Sequence, residues 1–185
     1  MHRFTIRRFS RADQTAIEAL ERSVGPYRAE DAAEVATMRA RAAHARESGS
    51  DWRPHSPEPD SITDVDRWYA AFWVAESADG IIGMVGVRRS FHEGAAPPRH
   101  DWHEQDNIAE LRRLRVAPEA RREGVGTSLT RAVIDWCRSE RCRVLYLHTT
   151  SPQAPARALY EGLGFRDIGH TLTGEYEYVW YALEF

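Results

Sequence analysis

Cysteine is scarce in this chain: two occur in 185 residues, Cys137 and Cys142, and neither has Cys or His neighbours at metal-ligand intervals. A disulfide framework and a zinc module are both poor readings, and two reduced thiols fit better. Excess charge is equally small. The 25 basic and 28 acidic residues leave a net charge of −3, which supplies no bulk attraction to nucleic acid or to an anionic membrane. Long apolar runs are missing too. The opening Met1-His2-Arg3-Phe4-Thr5-Ile6-Arg7-Arg8 has no signal-peptide core, and no stretch approaches the ~20 residues of a membrane span. The expectations are therefore a cytoplasmic location, no membrane partner and no nucleic-acid partner. There is no internal repeat, no G-x-G-x-x-G and no Lys-Ser/Thr pair of a Walker loop. What remains is 42% apolar content, enough for one good core, so residues 1–185 are read as one domain.

The pattern of elements is mixed. Phe4 to Arg8 suits a strand, and Ser10 with Asp13 resembles a capping box opening a helix through Ile17 and Leu20. Gly25-Pro26 breaks it, and the Ala/Arg/Glu-rich stretch 30–47 predicts a second, half-exposed helix. Residues 49–59, with three prolines, read as a loop, and 61–69 as a short helix capped by Asp60 or Ser61. Phe72–Ala75 and Ile81–Val87, split by Ala78-Asp79-Gly80, predict a hairpin. Residues 93–101 read as a loop into a strand starting near Ile108. Later come a helix with Leu129, Val133, Trp136 and Cys137 on one face, a buried strand at Val144–His148, a helix, and two closing strands around a Thr173-Gly174 turn.

One segment carries chemistry. After the strand Glu110–Val116, the run Arg121-Arg122-Glu123-Gly124-Val125-Gly126 places two arginines, backbone N–H groups and a helix start at one point, which is an anion site. Gly124 and Gly126 would let a diphosphate reach the main chain, and Thr127 and Ser128 add hydroxyls and amides.

This segment resembles the GNAT superfamily of N-acetyltransferases, whose signature is [Q/R]-x-x-G-x-[G/A] after a strand ending V-x-P. Arg121, Gly124 and Gly126 fill that signature, with Val116 and Pro118 ahead of it. Ala156, Leu159, Tyr160, Gly164 and Phe165 match the family's A-x-x-L-Y-x-x-x-G-F ending. The resemblance covers residues 110–165 and implies a single-domain α/β fold with a mixed sheet of about seven strands flanked by helices. It also implies acetyl-CoA as acetyl-donor cosubstrate, no metal, and direct attack of a primary amine on the thioester. By that resemblance, the main chain of Leu114, Arg115 and Val116 would bind pantetheine and polarise the thioester carbonyl, where the strand splays from its parallel neighbour. Arg121, Arg122, Glu123, Gly124, Val125, Gly126, Thr127 and Ser128 would hold the phosphates. The Arg115 side chain reads as solvated or phosphate-facing. Where many members carry asparagine, this chain has Gln153 between prolines 152 and 155, so Gln153 or Ser151 would contact the coenzyme.

Acetyl transfer needs a neutral nucleophile, a stabilised oxyanion and a proton for the thiolate. Glu110 is the candidate general base, with a surface glutamate paired to Arg112 or Arg113 as the alternative. Tyr160 matches the family's general acid and also contacts the coenzyme sulfur, its alternative being a ring packed in the core. His148, at a strand end, is a lesser proton-transfer candidate or a structural donor. His92, His100, His103, Glu104 and Asp106 scatter across a loop and fix no shared metal face. Asp64, Asp66, Glu104 and Asp106 could form an acidic mouth for a cationic amine, walled by Trp52, Trp68, Trp73 and Trp102, with core or lid packing as the better reading of most of these aromatics. The acceptor is a small molecule or a peptide N-terminus, and a homodimer is left open. The competing function is a noncatalytic acyl-CoA-binding or sensing module. A nucleic-acid reading of Arg112-Arg113-Leu114-Arg115 ranks third because the strip is short.

Overall fold

The computed structural model describes residues 4–24, 32–49, 52–53, 62–89, 97–98, 102 and 107–185. The strands are β1 (Phe4–Arg8), β2 (Trp52–Arg53), β3 (Ala71–Ser77), β4 (Gly80–Arg89), β5 (Ile108–Val116), β6 (Val144–Thr150), β7 (Arg166–Thr173) and β8 (Tyr176–Glu184). The helices are α1 (Gln14–Val24), α2 (Ala32–Ser48), α3 (Val65–Trp68), α4 (Val125–Ser139) and α5 (Ala154–Gly162). All strands join one sheet in the order β1-β3-β4-β5-β6-β8-β7-β2. Only β5/β6 and β2/β7 run parallel. Seven strands match the sequence reading. The eighth, β2, is a two-residue addition to the edge of β7, inside a stretch read as a loop. The short helix is also trimmed: α3 starts after Asp64, not at Asp60 or Ser61, which lie outside the described residues.

Local chemistry explains the opening. Asp13 accepts from the Ser10 N–H at 2.8 Å, and both terminal nitrogens of Arg7 fork onto its carboxylate at 2.7 and 2.8 Å. The Arg7 hydrogen bonds hold the Asp13 carboxyl down at about 2. In α4, Val125, Leu129, Val133 and Cys137 recur at helical spacing and are all buried, while Trp136 lies half-buried at the edge, ring against Trp73. The helix stops where Arg141 turns left-handed (φ 56°), the Cys142 N–H donates to the Cys137 carbonyl at 2.9 Å and the Arg141 N–H to the Arg138 carbonyl at 3.1 Å. This Schellman end packs the two cysteines together as free thiols, and burial pushes both thiol pKa values up.

The sheet has two apolar clusters. The larger joins α1, α3, α4 and α5 to the central strands, with Ile17, Val74, Met84, Leu129 and Tyr181 among its most buried members. The smaller gathers Ile108, Val144, Tyr146, Tyr178, Trp180 and Ala182 on β5, β6 and β8, with Trp102 packed into it from outside the strands. No helix among the described residues is long and apolar enough to cross a membrane.

Candidate active site

The site begins where two neighbouring strands part. β5 and β6 pair in parallel only from Ile108↔Val144 to Glu110↔Tyr146, and beyond that point they diverge. On its other side β5 loses register against β4: Gly86 faces Arg112 while Met84 faces Arg115. Arg113 takes up the extra residue as a bulge at φ 56°, a conformation that non-glycine residues seldom hold. The splay opens two adjoining cavities that share Leu114, Arg115, Gln153 and Ala156.

The first cavity, about 330 Å³, is walled by Val116, Arg121, Arg122, Gly124, Val125, Gly126 and Thr127, with Leu159 opposite. Gly124 caps α4 at φ 84° and offers no side chain to it. The N–H groups of Val125, Gly126 and Thr127 meet no protein acceptor among the described residues, so they form a ready cradle for an anion. A Cβ at Gly124 would meet nothing within 4 Å, which leaves that approach open. The two glycines differ in role. A Cβ at Gly126 would stand 3.0 Å from Leu159, so the missing side chain there serves the close packing of α4 on α5, while its N–H stays in the cradle.

Not all expected phosphate contacts hold. The Ser128 N–H is already spent on the Gly124 carbonyl at 2.9 Å, and Glu123 is exposed and off the cavity wall. The Arg115 guanidinium is neither solvated nor free for phosphate: it lies at 3.1–3.2 Å from the carboxylate of Glu21 on α1. Gln153 caps α5 and faces both cavities, whereas the Ser151 N–H donates to the Glu177 carbonyl and Ser151 lines neither.

The second cavity, about 440 Å³, is walled by Arg112, Arg113, Leu114, His148, Tyr160, Tyr176 and Tyr178. The Tyr160 ring packs in the core, as one of its two readings has it. It lies 5.8 Å from Phe165 and 6.0 Å from Tyr181, while the hydroxyl has no hydrogen-bond partner among the described residues. Burial raises the hydroxyl pKa to about 12, against a smaller lowering by Arg115.

Glu110 keeps the expected pairing with Arg112 but not the expected surface position. It is 1% exposed, not a surface residue, and does not line the cavity. Its carboxylate takes Arg88 Nη2 at 2.9 Å and Arg112 Nη1 at 3.4 Å, so an acceptor amine cannot touch it directly in this arrangement. Arg112 Nη1 also stands 2.7 Å from His148 Nε2. A guanidinium only donates, so Nε2 is the accepting nitrogen and its lone pair is engaged. The ring of His148 is wedged 4.8 Å from Tyr178 and 4.7 Å from Trp180. Arg88 and Glu21 were not singled out in the sequence. Their partners are 22 and 92 residues away, and only the β4/β5 register and the seat of α1 bring them together.

The expected acidic mouth does not form from Asp64 and Asp66. Neither lines either of these two cavities, and Asp66 pairs with Arg11 at 3.0 Å. Trp68 sits under Arg67, Trp73 packs in the core and Trp102 lies against Tyr146 at 5.7 Å, so none of these walls the site. The Trp52 side chain and residues His92, His100, His103, Glu104 and Asp106 lie outside the described residues. No group of three or more His, Cys, Asp or Glu that could hold a metal occurs among the described residues.

Residues 38–165 match the Acetyltransferase (GNAT) family. The chain belongs to this family. Among curated relatives, N-acetyltransferase 8 of Homo sapiens is 33% identical over 115 residues, covering 60% of this chain and 47% of that protein. N-acetylaspartate synthetase of Xenopus tropicalis is 29% identical over 113 residues, covering 58% and 37%. The chain thus spans between about a third and a half of the length of these relatives. Among solved structures, Arabidopsis thaliana NAA60 in complex with acetyl-CoA superposes with a TM-score of 0.68 at 16% identity, over 98% of this chain and 99% of that one. Ribosomal-protein-alanine N-acetyltransferase from Brucella melitensis gives 0.61 at 18% identity, over 98% and 99%. At such identities these neighbours establish the α/β fold, and the family match carries the rest.

Proposed function

We propose that the protein is an N-acetyltransferase that moves the acetyl group of acetyl-CoA to the primary amine of an acceptor carrying an anionic group. The observation behind this reading is the meeting of the two cavities at Leu114, with an amide cradle at one end and, at the other, a tyrosine hydroxyl that has no partner among the described residues. The cofactor fits its site on the chain's own terms, because the N–H groups of Val125, Gly126 and Thr127 meet no acceptor among the described residues and Gly124 leaves their approach open. Acetyl-CoA, when bound, supplies the acetyl group as a thioester. Main-chain atoms at the β5 bulge orient it, the α4 amides and Arg121 hold its phosphates, and Tyr160 keeps a proton for the departing thiolate.

On the base side we propose Glu110 acting through water, because its carboxylate stands behind the cavity wall. The carboxylate is held by Arg88 and Arg112, which fix its place behind that wall. Among the described residues the second cavity is walled by Arg112, Arg113 and Arg115 and by no carboxylate, and cations disfavour a further positive charge. The same wall suits a carboxylate-bearing amine better than a polycation. One relative is named for making an acetylated amino acid with acidic groups, N-acetylaspartate, which points the same way.

We further propose that residues 1–185 form one acetyltransferase domain with a cytoplasmic location, in keeping with the two free thiols. A panel of amines with acetyl-CoA, followed by thiol release, tests the central reading. Amino acids, peptide N-termini and polyamines should separate in that order of turnover. Thiol release only with polyamines would overturn the acceptor class. None with any amine, despite measurable CoA binding, would favour the noncatalytic acyl-CoA module.

A further inference from the structure

The bulge in β5 is held from outside the sheet. Arg113 sits at φ 56° with Leu114 and Arg115 following, and this short run presents its main chain where the two cavities adjoin. A left-handed arginine in a strand persists only where its surroundings over-determine it. Those surroundings include one carboxylate on α1. Glu21 Oε1 lies 2.9 Å from Arg113 Nη1 and 3.2 Å from Arg115 Nη2, and Glu21 Oε2 lies 3.1 Å from Arg115 Nε. All three side chains are largely withdrawn from water, at 17% exposure for Glu21, 22% for Arg113 and 20% for Arg115, so screening weakens the clamp little. The geometry has a simple consequence. The two arginines flank Leu114 in sequence, and anchoring both to one rigid helix fixes how the intervening peptide faces the cavity.

We propose that Glu21 is a positioning residue for acetyl transfer. It keeps the Arg113–Arg115 bulge in the shape that presents the Leu114 main chain to the reacting group, without touching that group itself. The inference rests on the acetyl-transfer reading for its kinetic consequence, but its structural part stands apart from it. Glu21 also ties the last turn of α1 to β5, and Val24 in that turn lines the anion cavity, so both cavities are referenced to the same helix.

The test uses the full chain with Glu21→Gln, Glu21→Asp and Arg115→Lys, the last keeping the charge but losing the fork. Amide hydrogen exchange of the unliganded protein is read over residues 112–116 and, as a reference, over α4. CoA affinity is measured by calorimetry, and kcat with the best acceptor amine. Glu21→Gln should speed exchange over 112–116 by about tenfold or more while α4 is unchanged. It should lower kcat by about tenfold, with CoA affinity within about twofold of wild type. Glu21→Asp should recover part of both losses, and Arg115→Lys should resemble Glu21→Gln. Unchanged exchange over 112–116 in both Glu21→Gln and Arg115→Lys would overturn the clamp. So would a fall in kcat only in proportion to CoA affinity, which would make Glu21 a binding-site support. If wild type transfers acetyl to no amine, the acetyl-transfer reading fails while the exchange experiment still decides the clamp.

Discussion

The two ends of the site are built by different means. The anion end is local: one turn of chain, from Arg121 to Thr127, contains its glycine cap, its uncapped amides and its cations, and α4 follows directly. The acceptor end is assembled from afar. Arg88 meets Glu110 across two strands, Arg112 reaches His148 on a third, and Tyr160 arrives on α5 from beyond β6. A local site depends on backbone conformation and tolerates changes elsewhere. An assembled site depends on register and burial, so its ion pairs serve stability and chemistry together.

The largest effect should come from Tyr160→Phe, which keeps the ring packed on Phe165 and Tyr181 and removes only the hydroxyl. Turnover should fall by about 10²–10⁴-fold with CoA affinity nearly unchanged. Because the wild-type hydroxyl titrates only near pH 12, the deficit should stay constant from pH 6 to 10. A deficit that closes across that range would give the proton to another group and blur the contrast between the two ends.

Glu110→Gln separates structure from chemistry at the acceptor end. Removing one partner of the buried Arg88–Glu110 pair should lower the unfolding free energy in denaturant titration by about 3–5 kcal/mol. If Glu110 also takes the amine proton through water, the activity deficit of the folded variant should shrink as pH rises and the amine arrives neutral. A pH-independent deficit would leave Glu110 as an anchor for Arg112 alone.

The anion end should respond in affinity first. Gly124→Val forces a β-branched residue into φ 84°, at roughly 1–2 kcal/mol of folding stability, and also crowds the cradle. CoA affinity by calorimetry should fall more than that strain accounts for, whereas Gly126→Ala should act on α4/α5 packing through Leu159 and spare affinity. Equal losses of affinity at both glycines would mean that the cradle is not where the structure suggests.

The smallest expected effect is Arg121→Ala, a roughly two- to fivefold loss of CoA affinity at low salt that fades as salt rises. Arg39→Ala, on α2 and paired with Glu175, is the control for general surface charge and should show no such loss.

How much of this was legible beforehand follows the same divide. Local signals gave the order of strands and helices, the Ser10/Asp13 opening, the hairpin at Asp79-Gly80, the glycine turn that opens α4 and the place of Tyr160 on α5, because each arises from contiguous residues whose dihedrals and hydrogen bonds their own neighbours set. The two-residue β2 was missed because so short a strand has no periodicity to read. Glu110 could be named from its motif, but its surroundings could not. The sequence by itself determined that a glycine-capped helix start would offer amides to an anion, and that an amphipathic α4 would press onto a mixed sheet. Only the tertiary structure decided that Glu110 would be sealed between Arg88 and Arg112, that Glu21 would grip the bulge, and that no aspartate at α3 would reach the acceptor cavity. The physical reason is that ion pairing falls off over a few ångströms while strand register and helix seating bring together residues tens of positions apart, so charge meets charge only after the whole core has chosen its packing.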